Sequence, residues 1–464
     1  MNAPFFVSMK YDCIIIGAGM SGLAAGIRLS HYGKKVLILE KHAIPGGLNS
    51  YYSKDGRSFD VGLHAMTNYV PRGERGAPLT KLLRQLRIRH EELDLVEQSH
   101  SLIDFPENKL KFGNGFTLLE DEVAREFPED IDGFVRLVEH VKNYNDVSLD
   151  AVYVSAREVV ATFIKSSVLQ DMVFCPVMYY GSAVEDDMDF SQFCIMFKSL
   201  YLEGFCRPQT GVRHLLRLLR KKYLGNGGEI RMRAGVKDIR VVNGLAQGVE
   251  LESGEFLEAD KILSSAGYCE TLELMGLPTP PEAIGQLSFV ESLLMMDEQP
   301  SNLGLEETII FFNREESFSY KKPKEAYSCA SGVICLPGNF RYVDQTPEEG
   351  MVRFTSLADY DVWKGFTPEE YLATKQRFIA EQIQSSGFGD KIKNRVTYED
   401  AFTPLTVKKF TSHINGAIYG SPHKVKDGCM PADNVFLCGT DQGFLGIVGA
   451  LLSGISISNK YLLL

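Results

Sequence analysis

Three glycines, Gly17, Gly19 and Gly22, follow a short apolar run from Tyr11 to Ile16 and precede an Ala- and Leu-rich stretch, Leu23 to Leu29, whose apolar spacing is helical. Strand, tight turn and helix in this order give a GxGxxG motif its meaning. Gly17 permits the turn, Gly19 lets the backbone approach a diphosphate, and Gly22 lets the helix pack against the strand. Met20 and Ser21 open that helix, where unpaired amides and the macrodipole favour an anion. A second apolar run, Lys35 to Leu39, ends in Glu40, with 17 residues between Gly22 and that carboxylate. This separation brings an acid to an adenosine ribose. The pattern therefore predicts a dinucleotide site, and it fits NAD and FAD equally, since both carry that ribose and a diphosphate.

At the other end, Asn434 to Leu437 reads as a buried strand that runs into Gly439-Thr440-Asp441, and Gly446 to Gly454 reads as a helix of small residues that begins at a glycine. A second helix start with exposed amides follows from this, although a plain buried C-terminal helix has the same composition. Just past Glu40, the segment Lys41 to Asn49 contains Gly46-Gly47, and Phe59-Asp60-Val61-Gly62-Leu63-His64 comes soon after. The order GxGxxGxxxG, Glu, GG and FDxGxH resembles the flavin-dependent oxidoreductases of the phytoene desaturase type. Within them, it is most similar to the retinol saturase and carotenoid isomerase branch.

That resemblance implies FAD as the cofactor and an α/β fold with a discontinuous Rossmann-type, glutathione-reductase-like FAD-binding domain and an inserted α+β substrate domain. It implies cofactor contacts at Gly17, Gly19, Met20, Ser21, Gly22, Glu40 and Lys41, then at Gly46, Gly47, Leu48, Asn49, Gly62, Leu63 and His64. Further contacts are expected at Val236, Ala266, Gly267, Gly439 and Asp441, and at Gly446, Ile447, Val448 and Ala450, where a helix start would face the flavin pyrimidine. His64 and Tyr419 are the candidate catalytic residues, although a histidine bonded to nearby backbone would serve the fold equally well. Tyr180 is a candidate substrate contact, and Arg207, standing where the family commonly has Pro-Lys-Gly-Gly, is a candidate for meeting a polar or anionic end group.

The elements between the two termini organise these residues. Gly211 to Leu224 predicts a helix stopped by Gly225 to Gly228, and strands are expected at Glu229 to Met232, Val236 to Val242, Leu245 to Leu251 and Lys261 to Ser265, with Asn243-Gly244 and Ser253-Gly254 as turns. Thr403 to Phe410 and Gly416 to Gly420 match the family's TPxTxxRY and GAxYG stretch, with Lys409-Phe410 in place of Arg-Tyr, and a strand is expected there. The predicted FAD-binding domain comprises 1–72, 205–270 and 398–464. The substrate domain comprises 73–204, mostly helical in pattern, and 271–397, of mixed pattern. With 28 Phe, 20 Tyr and 14 Met in the chain, an apolar pocket and an ordinary core are equally well supplied.

The chain has 464 residues and a net charge of −11, so its overall charge gives no footprint for nucleic acid. Its nine cysteines contain no CxxC pair, which predicts reduced thiols, no zinc site and a cytoplasmic location. No signal peptide and no spanning helix are expected. The acidic run Glu185 to Asp189 has the composition of a hard-cation site, but helix capping and solvation account for it, and no metal is expected. The basic residues Lys81, Arg84, Arg87 and Arg89, with Arg217, Arg220, Lys221 and Lys222, suit either a solvated face or peripheral contact with anionic lipid.

The predicted function is hydride transfer between flavin N5 and an apolar, isoprenoid or polyene substrate, by desaturation, saturation or isomerisation. An amine-oxidase-like flavoprotein and a non-catalytic, FAD-stabilised protein that binds a lipid or a partner are the alternatives.

Overall fold

The computed structural model describes residues 10–62, 65–146, 148, 152–343 and 347–464. Leu63 and His64 lie outside the described residues. Two seven-stranded sheets organise the described chain. The first has a parallel core in the order Val435–Leu437, Phe256–Ser264, Tyr11–Ile16, Val36–Glu40, Glu229–Met232. Its central strands are covered on both faces, and for this reason Tyr11–Ile16 and Val36–Glu40 read as unbroken apolar runs rather than alternating ones. Val236–Val242 and Leu245–Leu251 extend the sheet as an antiparallel meander turned at Asn243-Gly244, where both residues have positive φ.

The N-terminal helix, Met20–His31, starts as soon as the first strand ends. A Cβ at Gly22 would collide with the Gly17 carbonyl, so this glycine is required for the helix to pack close to its own turn. The C-terminal helix, Gly446–Ile457, crosses the N-terminal helix where Gly454 meets the Ser21 carbonyl, and a side chain at Gly454 would strike that oxygen. Two helices from opposite ends of the chain are thus in backbone contact, with their N-termini toward the same cavity.

The second sheet runs in the order Val396–Phe402, Ser288–Met296, Gly350–Ala358, Ser331–Cys335, Ile309–Asn313, Ser101–Asp104, Lys109–Phe112. All its pairings are antiparallel except that between Ile309–Asn313 and Ser101–Asp104. The helices Ser167–Gly181 and Phe190–Phe197 belong to an aromatic core against it, in which Phe112, Tyr201, Phe205 and Phe311 interlock.

Three local expectations need correction. Residues 398–402, expected with the first unit, are part of the outer strand of the second sheet. Thr403 to Phe410, expected as a strand, lies on the helix Pro404–Thr411: Thr403 takes the N-cap position with a reciprocal Thr406 bond, and Pro404 occupies the first turn, where its missing N–H is harmless. Within the region expected to be mostly helical, Ser101–Asp104 and Lys109–Phe112 form a hairpin closed by the Phe105 N–H donating to Asn108.

The carboxylates of 185–189 tie loops together. Asp186 accepts from the Tyr320 amide, Asp187 from the Arg157 amide, and Asp189, at the N-cap of Phe190–Phe197, accepts from the Val154 amide and pairs with Lys426 instead of capping its own helix. All nine cysteines are free thiols. No helix among the described residues is long and apolar enough to cross a membrane.

Candidate functional site

A cavity of about 550 Å³ is lined by residues of both sheets and of both terminal helices. This volume lies within the range of about 300–1,000 Å³ typical of small-molecule and cofactor sites. At one end the wall is mostly backbone. Gly17 and Gly19 stand beside Gly46 and Gly47: Gly19 and Gly46 form a bridge, and the Gly46 amide donates to the Ala18 carbonyl at 2.9 Å. Gly17 and Gly46 need their positive φ angles, 96° and 121°. A Cβ built at Gly19 would meet no protein atom within 4 Å; it would project into the cavity.

Met20 and Ser21 line the same end, at the start of a helix with no acid in its first turn and no side-chain cap. Glu40, only 7% exposed, accepts the Ala18 amide on Oε2 at 2.8 Å and the His42 amide on Oε1 at 2.9 Å. Its remaining lone pairs belong to a fixed, lined-up acceptor. Lys41, Leu48, Asn49, Gly62 and Val236 complete this part of the wall.

Ala266, Gly267, Gly439 and Asp441 continue it, followed by Gly446, Ile447 and Ala450 of the C-terminal helix. Asp441 has a larger mechanical part than its spacing suggested. Its Oδ1 accepts from the Ser421 amide at 2.9 Å and the Lys424 ammonium at 3.3 Å, and its Oδ2 from the Tyr268 amide at 2.7 Å, so one carboxylate joins three loops at the cavity wall. Burial lowers the Lys424 pKa from its ordinary value despite Asp441 beside it. Gly22 and Val448 do not line the cavity: Gly22 is taken up by helix packing, and Val448 is buried in the core.

The other end is built from side chains. Tyr179, Tyr180, Phe289, Val333, Ile418 and Tyr419 form an aromatic and aliphatic chamber. Tyr419 lies in a turn, not in a strand, and its hydroxyl donates to the Tyr179 carbonyl. Its one proton is therefore committed, and burial pushes the phenol further above its ordinary pKa, which makes it a poor proton source. Arg207 does not line the cavity. It is 8% exposed, and its Nη2 donates to Asp60 Oδ2 at 3.1 Å, so the acid of the FDVGLH segment holds this guanidinium away from the chamber.

Several polar residues of the wall were missed by sequence reasoning, Glu291, Thr355, Glu270 and His413 among them. Glu291 and Thr355 face the chamber from neighbouring strands; Glu270 and His413 line the cavity near Gly267. The Glu270 amide-side neighbours explain its charge: burial pushes its carboxyl up, but the bond and charge of His413, with the Ile414 amide at 2.8 Å, hold it below the ordinary range. Burial pulls His413 down, and Glu270 at 3.4 Å more than reverses this. A detectable signal did exist for Glu291, an acid in the middle of the otherwise uncharged run Ser288 to Met296.

The glycine cradle, the uncapped helix start and the ribose-ready acid fit a dinucleotide, and the wide side-chain chamber beyond them fits a ring system with a second molecule against it. Comparison with known proteins agrees. The sequence profile of the family described as flavin containing amine oxidoreductase matches residues 20–460. The all-trans-retinol 13,14-reductase of Danio rerio is 24% identical, over 97% of this chain and 86% of that protein. The chloroplastic prolycopene isomerase of Daucus carota is 23% identical, over 98% of this chain and 80% of that protein. Among solved structures, an oxidoreductase from Methanosarcina mazei superposes with a TM-score of 0.66 at 16% identity, covering 97% of this chain and all of the other.

Proposed function

From the premise that this chain belongs to the flavin containing amine oxidoreductase family and is an FAD-dependent oxidoreductase, we propose that its substrate is an apolar isoprenoid or polyene, desaturated, saturated or isomerised in the chamber between Tyr179 and Tyr419. Bound FAD supplies a hydride acceptor or donor at N5. The chain's own residues do the rest. In this reading the amides of the uncapped helix start at Met20 and Ser21 would hold the diphosphate, Glu40 would accept from the adenosine ribose, and the amides at Gly446 and Ile447 would stabilise negative charge on the flavin pyrimidine. The cofactor-binding unit would comprise about 1–72, 205–270 and 403–464, with the intervening residues forming the substrate unit.

The observation that carries this reading is the continuity of the cavity. One space runs from a backbone-lined cradle to a chamber walled by Tyr179, Tyr180, Phe289, Val333 and Ile418. Such walls exclude water and hold an extended apolar chain through contact area, not charge. The two curated relatives named above are, by their names, a retinol reductase and a prolycopene isomerase, which supports a polyene substrate.

Anaerobic mixing tests it. A polyene should bleach the oxidised flavin band if it is desaturated, restore the band in photoreduced enzyme if it is saturated, or be converted to another geometric isomer with the band unchanged. If no polyene does any of these, and a primary or secondary amine bleaches the band with peroxide released on aeration, the substrate is an amine and the proposal is wrong.

A further inference from the structure

A second cavity, of about 660 Å³, shares a wall with the first, and we propose that it binds the phosphate group of a small anionic ligand. The shared wall is Lys424: it lines the second cavity, while its ammonium donates to the Tyr419 carbonyl at 2.7 Å and to Asp441 Oδ1 at 3.3 Å, both residues of the first. Three lysines and a histidine line the second cavity, Lys424, Lys426, Lys460 and His423, against two aspartates, Asp189 and Asp427. Asp189 is neutralised by Lys426 at 3.1 Å. In a chain whose net charge is −11, this lining carries an excess of positive charge and so favours an anion locally.

Two buried donors in this wall call for an occupant. Gln192, in the first turn of Phe190–Phe197, is 6% exposed, and its Nε2 is buried with no hydrogen-bond partner among the described residues. A buried amide donor left unpaired is costly, and a ligand acceptor removes that cost. Lys424 has a buried side chain and three N–H groups for its two acceptors among the described residues. Burial lowers its pKa even with Asp441 beside it, so the ammonium is short of negative charge. The two groups are neighbours: the place a Cβ would take on Gly443 is 3.7 Å from Gln192 Nε2 and 3.8 Å from Lys424 Cβ.

The donors come from three separate parts of the chain, the helix of Gln192, the segment Pro422 to Asp427 and the C-terminal Lys460. A phosphate, with three oxygens directed outward from a tetrahedral centre, accepts from several directions at once, whereas a carboxylate offers two oxygens in one plane. An apolar ligand would leave the Gln192 amide dry, and a metal cation would be repelled by the lysines. The volume exceeds what the ion alone needs, so a phosphate ester of a small organic group fits. An anion bound here acts on the ammonium that also holds Tyr419 and Asp441 in the wall of the cofactor cavity.

The test is calorimetric titration of the FAD-loaded protein with inorganic phosphate and with glycerol 3-phosphate, at fixed ionic strength in a phosphate-free buffer, with acetate as the reference anion. Both phosphates should bind at one site, at least about tenfold more tightly than acetate. Gln192→Leu and Lys460→Glu should each weaken phosphate binding about tenfold or more. Both should keep the parent's FAD content and thermal unfolding, since the Gln192 amide donates to nothing in the fold and Lys460 is exposed. Lys393→Glu, at an exposed lysine outside the cavity, should bind phosphate as the parent does. Sedimentation with phosphatidylcholine vesicles that contain phosphatidate separates the two sources of a phosphate: binding that both cavity variants lose assigns a lipid headgroup, and no binding assigns a soluble ester. No phosphate binding, equal affinity for phosphate and acetate, or an equal loss in Lys393→Glu and Lys460→Glu overturns the inference.

Discussion

The two ends of the cavity are built by opposite means. The cradle around Gly17, Gly19, Gly46 and Gly47 presents backbone, and its one prominent side chain, Glu40, is locked by two amides. The chamber presents side chains gathered from a helix, a turn and three strands of the second sheet, with a buried ion pair set among them. Backbone recognition depends on what is missing at a position, so it tolerates almost no addition. Side-chain recognition depends on what is present, so its pieces are individually replaceable and jointly tuned to one ligand.

This contrast can be broken most forcefully at Arg353. Arg353→Met removes the buried partner of Glu291 and should lower unfolding free energy by about 3–5 kcal/mol, whereas the double variant Glu291→Leu with Arg353→Met should return to within about 1 kcal/mol of the parent. Urea titration measures both. Equal instability of the single and double variants would mean that the pair is needed by the fold itself.

In the cradle, two glycines three residues apart should fail differently. Gly19→Leu enters open space with an ordinary backbone φ of −69°, so the fold should survive while FAD affinity falls about 100-fold or more, equivalent to about 3 kcal/mol. Gly22→Ala meets the Gly17 carbonyl and should instead destabilise the protein by about 1–3 kcal/mol. Cofactor retention after gel filtration, read beside thermal unfolding, separates the two. A yellow, fully loaded Gly19→Leu would show that the diphosphate lies elsewhere.

The smallest effect concerns pH. Glu270 is held below its ordinary 4.5, so its contribution is present above that pH and is lost as the solution becomes more acid and the folded carboxyl is protonated. His413 is held above its ordinary 6.5, so its contribution is complete below that pH and is lost as pH rises through the folded value. The pair should therefore stabilise most between about 4.5 and 6.5, with each limb changing by less than about 1.4 kcal/mol per pH unit. His413→Gln should flatten the alkaline limb of a stability–pH profile; an unchanged limb would assign it to other groups.

The difference between the two ends also explains what could be read beforehand. The cradle was legible because close backbone approach within one short turn is a local steric demand, which leaves glycine at Gly17, Gly19 and Gly22. The start of the C-terminal helix at Gly446 was legible for the same reason. The stretch after Thr403 misled because a Thr-Pro pair opens a helix as readily as it edges a strand, and the reciprocal Thr403–Thr406 bond decides for the helix. Arg207 misled because its neutraliser, Asp60, lies far away in the chain. Glu291 went unassigned to the chamber that Tyr180 also lines, since nothing local relates a strand residue to a helix more than a hundred positions earlier.

Sequence by itself determined the cofactor class and the places where backbone must come close, because close approach is a steric demand on single residues and leaves glycine as its mark. Only the tertiary structure decided which side chains share the chamber, because a sheet row such as Val333, Thr355, Glu291 and Phe402 is set by pairing between strands. Register is a property of the pairing, and no one strand carries it.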